Sequence, residues 1–385
     1  MAPVTAAGDA PQSPLPSLVA DWVVDCVGGP VPIETSATCS DCAMCRPPNR
    51  MVTGHAKAFQ PDTKCCTFMP HLPNFVVGQI LKDRSPSGAE GRVSVERRID
   101  AKIGVTPLGL DPTEVYQLLY ASSKDSSFGQ SRALRCPHFI DRSGGLCGIW
   151  KYRNSICSTY HCKYVRGAIG RAFWERLRQL LLEVETALER WCVLQLAIGD
   201  AALGALIRPG PAAKKAGSQL TAAAVDERSD PHEYRRLWGD TWANREPAFY
   251  IAAATLVEKT QWSDVLAIGG ARLKLLARLT CAAYEELTTT ALAPRLEFGN
   301  INIALEEGGF VTLQGYSAQD QLIVPGALLD VLPLFDGNRT TEDAIRAARA
   351  AGVSLTHWFV RRLADFGVLQ VPDPISSRAT PAVPG

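Results

Sequence analysis

The amino-acid sequence predicts an α+β protein in three parts: an irregular cysteine-rich domain, a helical middle layer and a small C-terminal unit of helices and strands. Three observations support this division of the 385 residues. Nine of the 12 cysteines lie between residues 39 and 162. Apolar residues recur at helical spacing from about residue 169. Short strand patterns and capped helices occupy the last part of the chain.

The composition is that of an ordinary globular protein. Apolar residues make up 46% of the chain and charged residues 21%, and the formal net charge is +1. A nearly neutral chain has no general attraction to nucleic acid or to anionic lipid, so nucleic acid is a disfavoured partner and no membrane partner is expected. The sequence also lacks an apolar run of about 18 residues, so it predicts no transmembrane helix.

Residues 1–22 are predicted to form a disordered leader. They are rich in Pro and Ala, and they lack the basic segment followed by an apolar stretch that marks a secretory signal. We therefore expect a cytoplasmic protein, in which thiols stay reduced. In that setting clustered cysteines indicate metal binding more often than disulfides.

Residues 23–168 are predicted to form the cysteine-rich domain. They contain many Pro and Gly residues and little helical periodicity. One helix is expected at 111–123, where Asp111 can cap the helix and Pro112 can occupy its first turn. Because a domain with so few long elements has a thin hydrophobic core, we predict that metal stabilises it.

Residues 169–290 are predicted to form the helical layer. Apolar residues recur at helical spacing through 171–197. Further helices are expected at 231–244, 247–258 and 263–288. A linker rich in Gly, Pro, Lys, Ala and Ser is expected at 208–219. Cys192 and Cys281 lie on apolar helix faces, which favours buried structural thiols over metal ligands.

Residues 296–373 are predicted to form a winged helix, a unit of three helices and a small β-sheet. The predicted elements are strands at 310–314 and 321–324, a helix at 325–337, a helix capped by Thr340, a helix capped by Ser354 and a closing strand at 368–371. Residues 374–385 are predicted to be a disordered tail.

The segment from "LPLFDGNRTTEDAI" to "FVRRLADFGVLQV" resembles the small winged-helix domains of the peptide-chaperone type, over residues 296–372. This resemblance implies a winged-helix fold, and the role we expect for it is to dock a protein or peptide partner or to pack against the rest of the chain. Residues 296–371 carry nine acidic and five basic side chains. DNA binding requires a basic surface, so we do not predict it for this unit.

Nine cysteines are candidate metal ligands, and they fall into three groups. These are Cys39, Cys42 and Cys45, then the adjacent Cys65 and Cys66, and then Cys136, Cys147, Cys157 and Cys162. The two-residue spacers of the first group let consecutive thiolates face one centre, as in zinc knuckles and ferredoxins. Spacers of ten, nine and four residues in the last group suit ligands gathered from a folded knot.

The stretch "CPHFIDRSGGLCGIWKYRNSIC" resembles the YkgJ-type cysteine-cluster family of zinc- or iron-chelating domains. That family has Cys-Pro before two hydrophobic residues, then Cys-x-Ile-aromatic-x-x-Arg-Pro-x-x-Cys and a further nearby Cys. The last four cysteines fall in register with this pattern, and Asn154 replaces its usual Pro. The family's earlier cysteine group has its counterpart in the first five cysteines, although nineteen residues separate the adjacent pair from the first run. The resemblance covers residues 39–165 and implies metal binding by these cysteines.

The metal itself is open to two interpretations. Eight thiolates suit either two zinc sites or two iron–sulfur clusters, which leaves one cysteine spare. His71 and His161 are candidate substitutes for a cysteine ligand. We favour an iron–sulfur cluster of the 4Fe-4S type, because the Cys-x2-Cys-x2-Cys run and a reducing compartment suit it, and keep zinc as the alternative.

The sequence therefore predicts a metal-binding protein whose cluster has a redox or structural role and whose C-terminal unit docks a partner. One alternative is an enzyme that uses the cluster for modification or redox chemistry on a peptide or protein. No P-loop, GxSxG or GxGxxG motif identifies a catalytic residue for it. A second alternative is a nucleic-acid-associated regulator, because residues 132–178 carry ten Lys or Arg and two acidic residues among aromatic ones. The same cations would also balance a negatively charged metal–thiolate group.

Overall fold

Two hydrophobic cores organise the chain. The computed structural model describes residues 13–35, 38–40, 42–45, 58–142, 144–207, 220–227, 229–305 and 307–372. Buried apolar side chains form one cluster from Leu15 to Leu287 and a second from Leu296 to Leu369. Helices and short strands occur in both parts, so the predicted α+β class is confirmed. The first core takes side chains both from the segment predicted as the cysteine-rich domain and from the predicted helical layer.

Helices supply most of the first core. They are α1 Ser17–Val27, α2 Asn74–Lys82, α3 Ala89–Asp100, α4 Glu114–Ser127, α5 Ser155–Thr159, α6 Gly167–Gln195, α7 Asp200–Ile207, α8 Ala222–Val225, α9 Pro231–Trp242, α10 Glu246–Val257 and α11 Trp262–Thr288. The strands of this part are β1 Leu72–Pro73, β2 Val105–Thr106, β3 Gly109–Leu110, β4 Phe139–Ile140 and β5 Leu146–Cys147. The first three strands form an antiparallel sheet in the order β1-β3-β2, and β4 pairs with β5. These strands are too short to hold a domain together without the helices.

Helix α6 runs through the first core. Its apolar residues recur at helical spacing, and Phe173, Leu177 and Leu188 are completely buried. Helix α11 packs along α6, and α10 packs on α2. A Cβ added to Gly78 would lie 1.8 Å from the carbonyl oxygen of Tyr250, so only glycine permits the α2–α10 approach. The predicted helices of the middle layer are confirmed as α6, α9, α10 and α11.

The two cysteines of this layer have different surroundings. Cys192 is completely buried, which confirms the prediction of a structural thiol. Cys281 is only half-buried, so the same prediction is wrong for this residue. Its position on α11 faces α1, an element that the sequence does not predict.

The predicted disordered leader is wrong for residues 17–22, which begin helix α1. Trp22 is 3% exposed and its Nε1 donates to the Thr260 carbonyl oxygen at 3.4 Å. Burial of apolar side chains against α11 stabilises this short helix, which has no side-chain N-cap. Residues 1–12, the predicted linker at 208–219 and the predicted tail at 374–385 lie outside the described residues.

Helix α4 starts later than the sequence predicts. Thr113, not Asp111, is the N-cap, and its hydroxyl accepts a hydrogen bond from the Tyr116 N–H at 3.2 Å. The Asp111 carboxylate binds the His71 ring instead, at 2.8 Å. A tertiary partner therefore displaces the local capping interaction that the sequence favours.

The C-terminal unit builds the second core. Its elements are β6 Glu297–Phe298, β7 Asn302–Leu305, β8 Phe310–Gln314, β9 Leu322–Pro325, α12 Thr341–Ala350, α13 His357–Asp365 and β10 Leu369–Gln370. Strands β7, β8 and β9 form an antiparallel sheet in that order, and β10 pairs with β6. The three strands predicted in this unit are confirmed as β8, β9 and β10.

The first helix predicted in this unit is wrong. Residues 325–337 form two 3₁₀ turns, Gly326–Asp330 and Leu332–Leu334, instead of an α-helix. Pro333 lies in the second turn, and it lacks the backbone N–H that a continuous helix would need there. Leu332 and Phe335 are nonetheless buried, so the apolar pattern correctly indicates the core.

Of the two N-cap residues predicted for the α-helices of this unit, one is confirmed and one is wrong. Thr340 caps α12 as predicted, and its hydroxyl accepts a hydrogen bond from the Asp343 N–H at 3.1 Å. The predicted Ser354 cap of α13 is wrong, because Thr356 takes that position and accepts from the Phe359 N–H at 3.2 Å. Both residues can cap a helix, so composition alone does not decide between them.

Polar contacts join the two cores just after Cys162. The Tyr164 N–H donates to Asp320 Oδ2 at 3.1 Å, and Arg166 Nη2 donates to Asp365 Oδ1 at 3.0 Å. Asp365 is 4% exposed and belongs to α13. The C-terminal unit is therefore attached to the segment that follows Cys162. Across the part of the chain that the structure describes, every helix is too short or too polar to cross a membrane.

Candidate functional site

Six of the nine candidate cysteines line one cavity of about 210 Å³. They are Cys39, Cys65, Cys66, Cys136, Cys147 and Cys157. The rest of the lining is mostly apolar and aromatic, formed by Phe68, Pro70, Tyr120, Phe128, Ile149, Trp150, Ile156 and Tyr160. Arg153 is the charged residue of the lining. We call this space the cysteine cavity.

Backbone contacts bring the three cysteine groups together. The Cys136 N–H donates to the Cys66 carbonyl oxygen at 2.7 Å, which joins the second group to the third. The ammonium of Lys64 donates to the carbonyl oxygens of Cys39 and Gly145 and so joins the first group to the β4–β5 hairpin. These bonds connect residues that are far apart in the sequence, which explains how loop-length spacers converge.

Local structure orients the last group. Cys147 ends β5 and pairs with Phe139 across the hairpin. Cys157 lies in α5, whose N-cap is Asn154, and the Asn154 side chain accepts from the Cys157 N–H at 3.1 Å. The residue that departs from the YkgJ-type pattern thus caps the helix that carries a candidate ligand.

The thiols disfavour each other's ionisation. Burial, and then the neighbouring Cys65, raise the pKa of Cys39 to about 12. Burial also raises the pKa of Cys136 to about 12 and that of Cys147 to about 11. Thiols in such surroundings remain protonated at neutral pH unless a cation stabilises the thiolates.

The other three cysteines lie beside the cavity rather than in its lining. The thiols of Cys45 and Cys42 form a hydrogen bond. Burial, and then this hydrogen bond, raise the pKa of Cys45 to about 12. Burial, followed by the charges of Cys42 and Cys65, raises the pKa of Cys162 to about 11. Cys65 therefore lies near thiols of the cavity lining, such as Cys39, and also near the thiols beside the cavity, such as Cys162.

The structure thus gathers all nine predicted cysteines in one region. Among the described residues, no three His, Cys, Asp or Glu side chains are placed as a finished metal-binding group. The donor set is nevertheless entirely sulfur, which suits zinc and iron–sulfur clusters rather than hard cations.

Three buried cations lie near these thiols: Arg153 lines the cavity, Lys64 bonds to the Cys39 carbonyl oxygen, and Arg98 interacts electrostatically with Cys136. Lys64 is 4% exposed, Arg98 is 5% exposed and Arg153 is 8% exposed. Arg153 donates to the Cys157 carbonyl oxygen at 3.0 Å, and its Nε, like the Nη1 of Arg98, is buried without a hydrogen-bond partner among the described residues. None of the three forms an ion pair with a carboxylate in the part of the chain that the structure describes.

Sequence reasoning missed two of these cations. Lys64 precedes Cys65 directly, and its position next to a candidate ligand is a signal that could have identified it. Arg98 lies in α3, far from any cysteine in the sequence, so no sequence signal indicates it. Arg153 belongs to the basic segment 132–178. Five other arginines of that segment pair with carboxylates, namely Arg132 with Asp62, Arg135 with Asp141, Arg142 with Glu90, Arg166 with Asp365 and Arg171 with Glu175.

The two candidate histidines, His71 and His161, differ in whether a ring nitrogen is free to bind a metal. Both ring nitrogens of His71 are bonded at 2.8 Å, Nδ1 to Asp111 and Nε2 to Glu189, which leaves no nitrogen free for a metal. Burial lowers the pKa of His161 to about 3, so its ring is neutral, and its buried Nε2 has no partner among the described residues. His161, beside Cys162, thus retains a nitrogen that could bind a metal.

Comparisons of this chain with models of protein families, with curated proteins and with solved structures find no match. The geometry of the cysteine cavity is therefore the basis for assigning a function.

Proposed function

We propose that this chain binds a metal–thiolate group through the cysteine cavity, with a redox or structural role. The observation that carries the proposal is the burial of Arg153 in the lining of the cavity and of Lys64 beside it, where neither forms an ion pair with a carboxylate among the described residues. An unpaired buried cation is strongly destabilising. Four thiolates around zinc or an iron–sulfur cluster carry net negative charge, so a bound group would supply the missing counter-charge.

The six cysteines of the cavity would hold the principal group. Cys42, Cys45 and Cys162 adjoin it and would provide ligands for a second centre together with one of the inner thiols or His161. We favour iron–sulfur over zinc, because the Cys-x2-Cys-x2-Cys run suits a cluster and the aromatic wall would shield it from water. The pattern of the last four cysteines supports membership of the YkgJ-type family as part of this proposal.

The C-terminal unit is proposed to be a winged-helix-like domain that docks a protein or peptide. Trp358 on α13 is 70% exposed and Leu305 on the edge strand β7 is 81% exposed. Large exposed apolar side chains are typical of interaction surfaces. The contacts of Tyr164 and Arg166 with this unit would place a docked partner on the same body as the cluster.

An enzyme that uses the cluster is a second candidate. The supporting observation is that the cavity is bordered by side chains that reach solvent, since Trp150 is 39% exposed and Tyr160 is 36% exposed. A catalytic metal site keeps a position open to its substrate, whereas a structural site is closed. A change in the metal spectrum on addition of cyanide or azide would support this candidate, and no change would count against it.

The test of the proposed function is metal analysis together with visible absorption of anaerobically purified protein. Iron, sulfide and a broad absorbance near about 400 nm that dithionite bleaches would establish iron–sulfur. Colourless protein with about two zinc ions per chain would establish the zinc alternative. Folded protein without stoichiometric metal would contradict the proposal.

Two variants make this test specific. Cys147→Ser removes a thiol of the cavity and is expected to lower the metal content. Cys192→Ala removes a fully buried thiol outside the candidate ligands and is the matched control. Equal metal loss in both variants would mean that folding, rather than ligation, explains the effect.

A further inference from the structure

Two cysteines that are not candidate metal ligands face each other across a helix contact. Cys26 lies in α1 and Cys281 in α11, 255 residues apart in the sequence, and their Sγ atoms are 4.0 Å apart. The Cys281 thiol donates to the Cys26 carbonyl oxygen at 3.1 Å. Both residues are half-buried, whereas Cys192 is completely buried. The pair therefore combines proximity with partial access from solvent.

We propose that Cys26 and Cys281 are a modification site that forms an intramolecular disulfide when the protein meets a disulfide oxidant of the glutathione class. A disulfide requires the sulfur atoms to approach to about 2.05 Å, and side-chain rotation on two adjacent helices can close the remaining gap. Neither residue lines the cysteine cavity, so this reaction does not consume a candidate ligand.

The reaction is an ordinary two-step thiol–disulfide exchange. One protein thiolate attacks glutathione disulfide, which breaks its S–S bond, forms a mixed disulfide and releases one glutathione thiolate. The second protein thiolate then attacks the protein sulfur and releases the second glutathione. The two protein thiols are oxidised, glutathione disulfide is reduced to two glutathiones, and the two thiol protons go to the two leaving thiolates.

The bond would fasten α1 to α11. The residues just before α1 reach the cysteine cavity, because Arg153 of its lining donates to the Pro14 carbonyl oxygen. Trp22 of α1 is also inserted in the first core. A disulfide at the C-terminal end of α1 would therefore hold in place a helix whose other end contacts a cation of the candidate site.

The experiment treats the native full-length protein with glutathione disulfide, blocks the remaining thiols and maps peptides by mass spectrometry. Trypsin with Glu-C separates Cys26 from Cys39, because Glu34 lies between them. The expected result is a linked pair of peptides that contain Cys26 and Cys281. Free or glutathionylated Cys26 without a linked peptide in the wild-type protein would overturn the proposal.

Two variants complete the design. Burial raises the pKa of Cys26 to about 12, so the first attack is expected from Cys281, and Cys26→Ala should stop at the mixed disulfide, with a gain of about 305 Da of glutathione on Cys281. Cys192→Ala is the matched control and should still give the linked peptide. Hydrogen exchange in residues 17–27 should slow when the bond forms, and unchanged exchange would overturn the fastening of α1. These readouts do not depend on metal content, so they can fail independently of the proposed function.

Discussion

The cysteine cavity and the C-terminal unit are stabilised in different ways. Around the cavity the strands are two residues long, the helix that carries Cys157 has five residues, and three cations are buried. The C-terminal unit has a continuous apolar core, in which Val360 and Leu363 are completely buried, and two helices with side-chain caps. The difference teaches that polypeptide contacts explain the second region, whereas the first has little regular structure of its own and, under the proposed function, would depend on charge balance by a bound group.

Removal of the proposed metal should give the largest difference in hydrogen exchange between the two regions. Chelation or acid treatment under denaturant-free conditions would leave the buried cations and thiols without compensation, so exchange in residues 136–162 should accelerate by roughly tenfold or more. Residues 341–366 should keep their protection. Hydrogen exchange with mass spectrometry measures both regions in one sample, and equal acceleration in both would contradict the comparison.

A cavity in the second core should give the opposite result. Leu363→Ala removes a completely buried side chain and should lower the free energy of unfolding of the C-terminal unit by about 2–5 kcal/mol. Metal content should stay unchanged. Trp358→Ala, at a position 70% exposed, is the control and should change stability by less than about 0.5 kcal/mol. Urea unfolding measures the stability change, and metal analysis measures the metal content. Metal loss in Leu363→Ala would mean that the stability of the C-terminal unit is coupled to the cysteine cavity.

Loss of one buried cation should weaken the cavity without removing a ligand. Arg153→Met keeps much of the side-chain volume and should lower metal affinity by about 10- to 100-fold, because outer-shell partners tune metal sites to that extent. Arg142→Met removes an exposed arginine paired with Glu90 and should leave the affinity unchanged. Competition with a chromogenic chelator measures both. Equal affinities in the two variants would refute the counter-charge role of Arg153.

His71 should make the first region sensitive to alkaline pH. Burial by itself would lower the pKa of His71, but hydrogen bonds to Asp111 and Glu189 outweigh burial and raise the pKa to about 10. Because the folded pKa exceeds the unfolded value of about 6.5, the stabilisation is fully present below about pH 6.5 and is lost as the pH rises through about 10. His71→Phe should therefore be less stable than wild type by about 1–2 kcal/mol at pH 6, with a smaller difference at pH 10.

The control for this pH effect is His357→Phe. His357 bonds to Glu342 on the surface, where both side chains are more than half exposed, so the substitution should change stability little at either pH. Denaturant unfolding at the two pH values gives the comparison. A His71→Phe deficit that is the same at pH 6 and pH 10 would show that packing, not charge, explains it.

The smallest predicted effect distinguishes two neighbouring residues of the C-terminal unit. Thr356→Ala removes the N-cap of α13 and should lower the free energy of unfolding by about 1 kcal/mol. Ser354→Ala lies two residues earlier and should have almost no effect. Urea unfolding of the two variants measures the difference, and a larger loss for Ser354→Ala would contradict the observed cap.

Helices α6, α9, α10 and α11 were within reach of the sequence, because apolar side chains at helical spacing indicate which face is buried. The nine cysteines could also be chosen as one set, since their density in one segment is a property of composition. The 3₁₀ turns of residues 325–337 and helix α1 were not predictable in this way. A proline in an apolar run and a short helix without a cap leave the outcome to tertiary packing.

By itself the sequence determined the mixed class, the main helices and the chemical identity of the candidate ligands. Only the tertiary structure decided that six cysteines line one cavity together with Arg153, that the buried Lys64 bonds to the Cys39 backbone beside it, and that the Cys26 and Cys281 thiols lie next to each other. The physical reason is the range of the interactions. Helix periodicity and capping act between residues a few positions apart. Charge balance and thiol proximity instead depend on contacts between distant segments, such as the hydrogen bond from the Cys136 N–H to the Cys66 carbonyl oxygen.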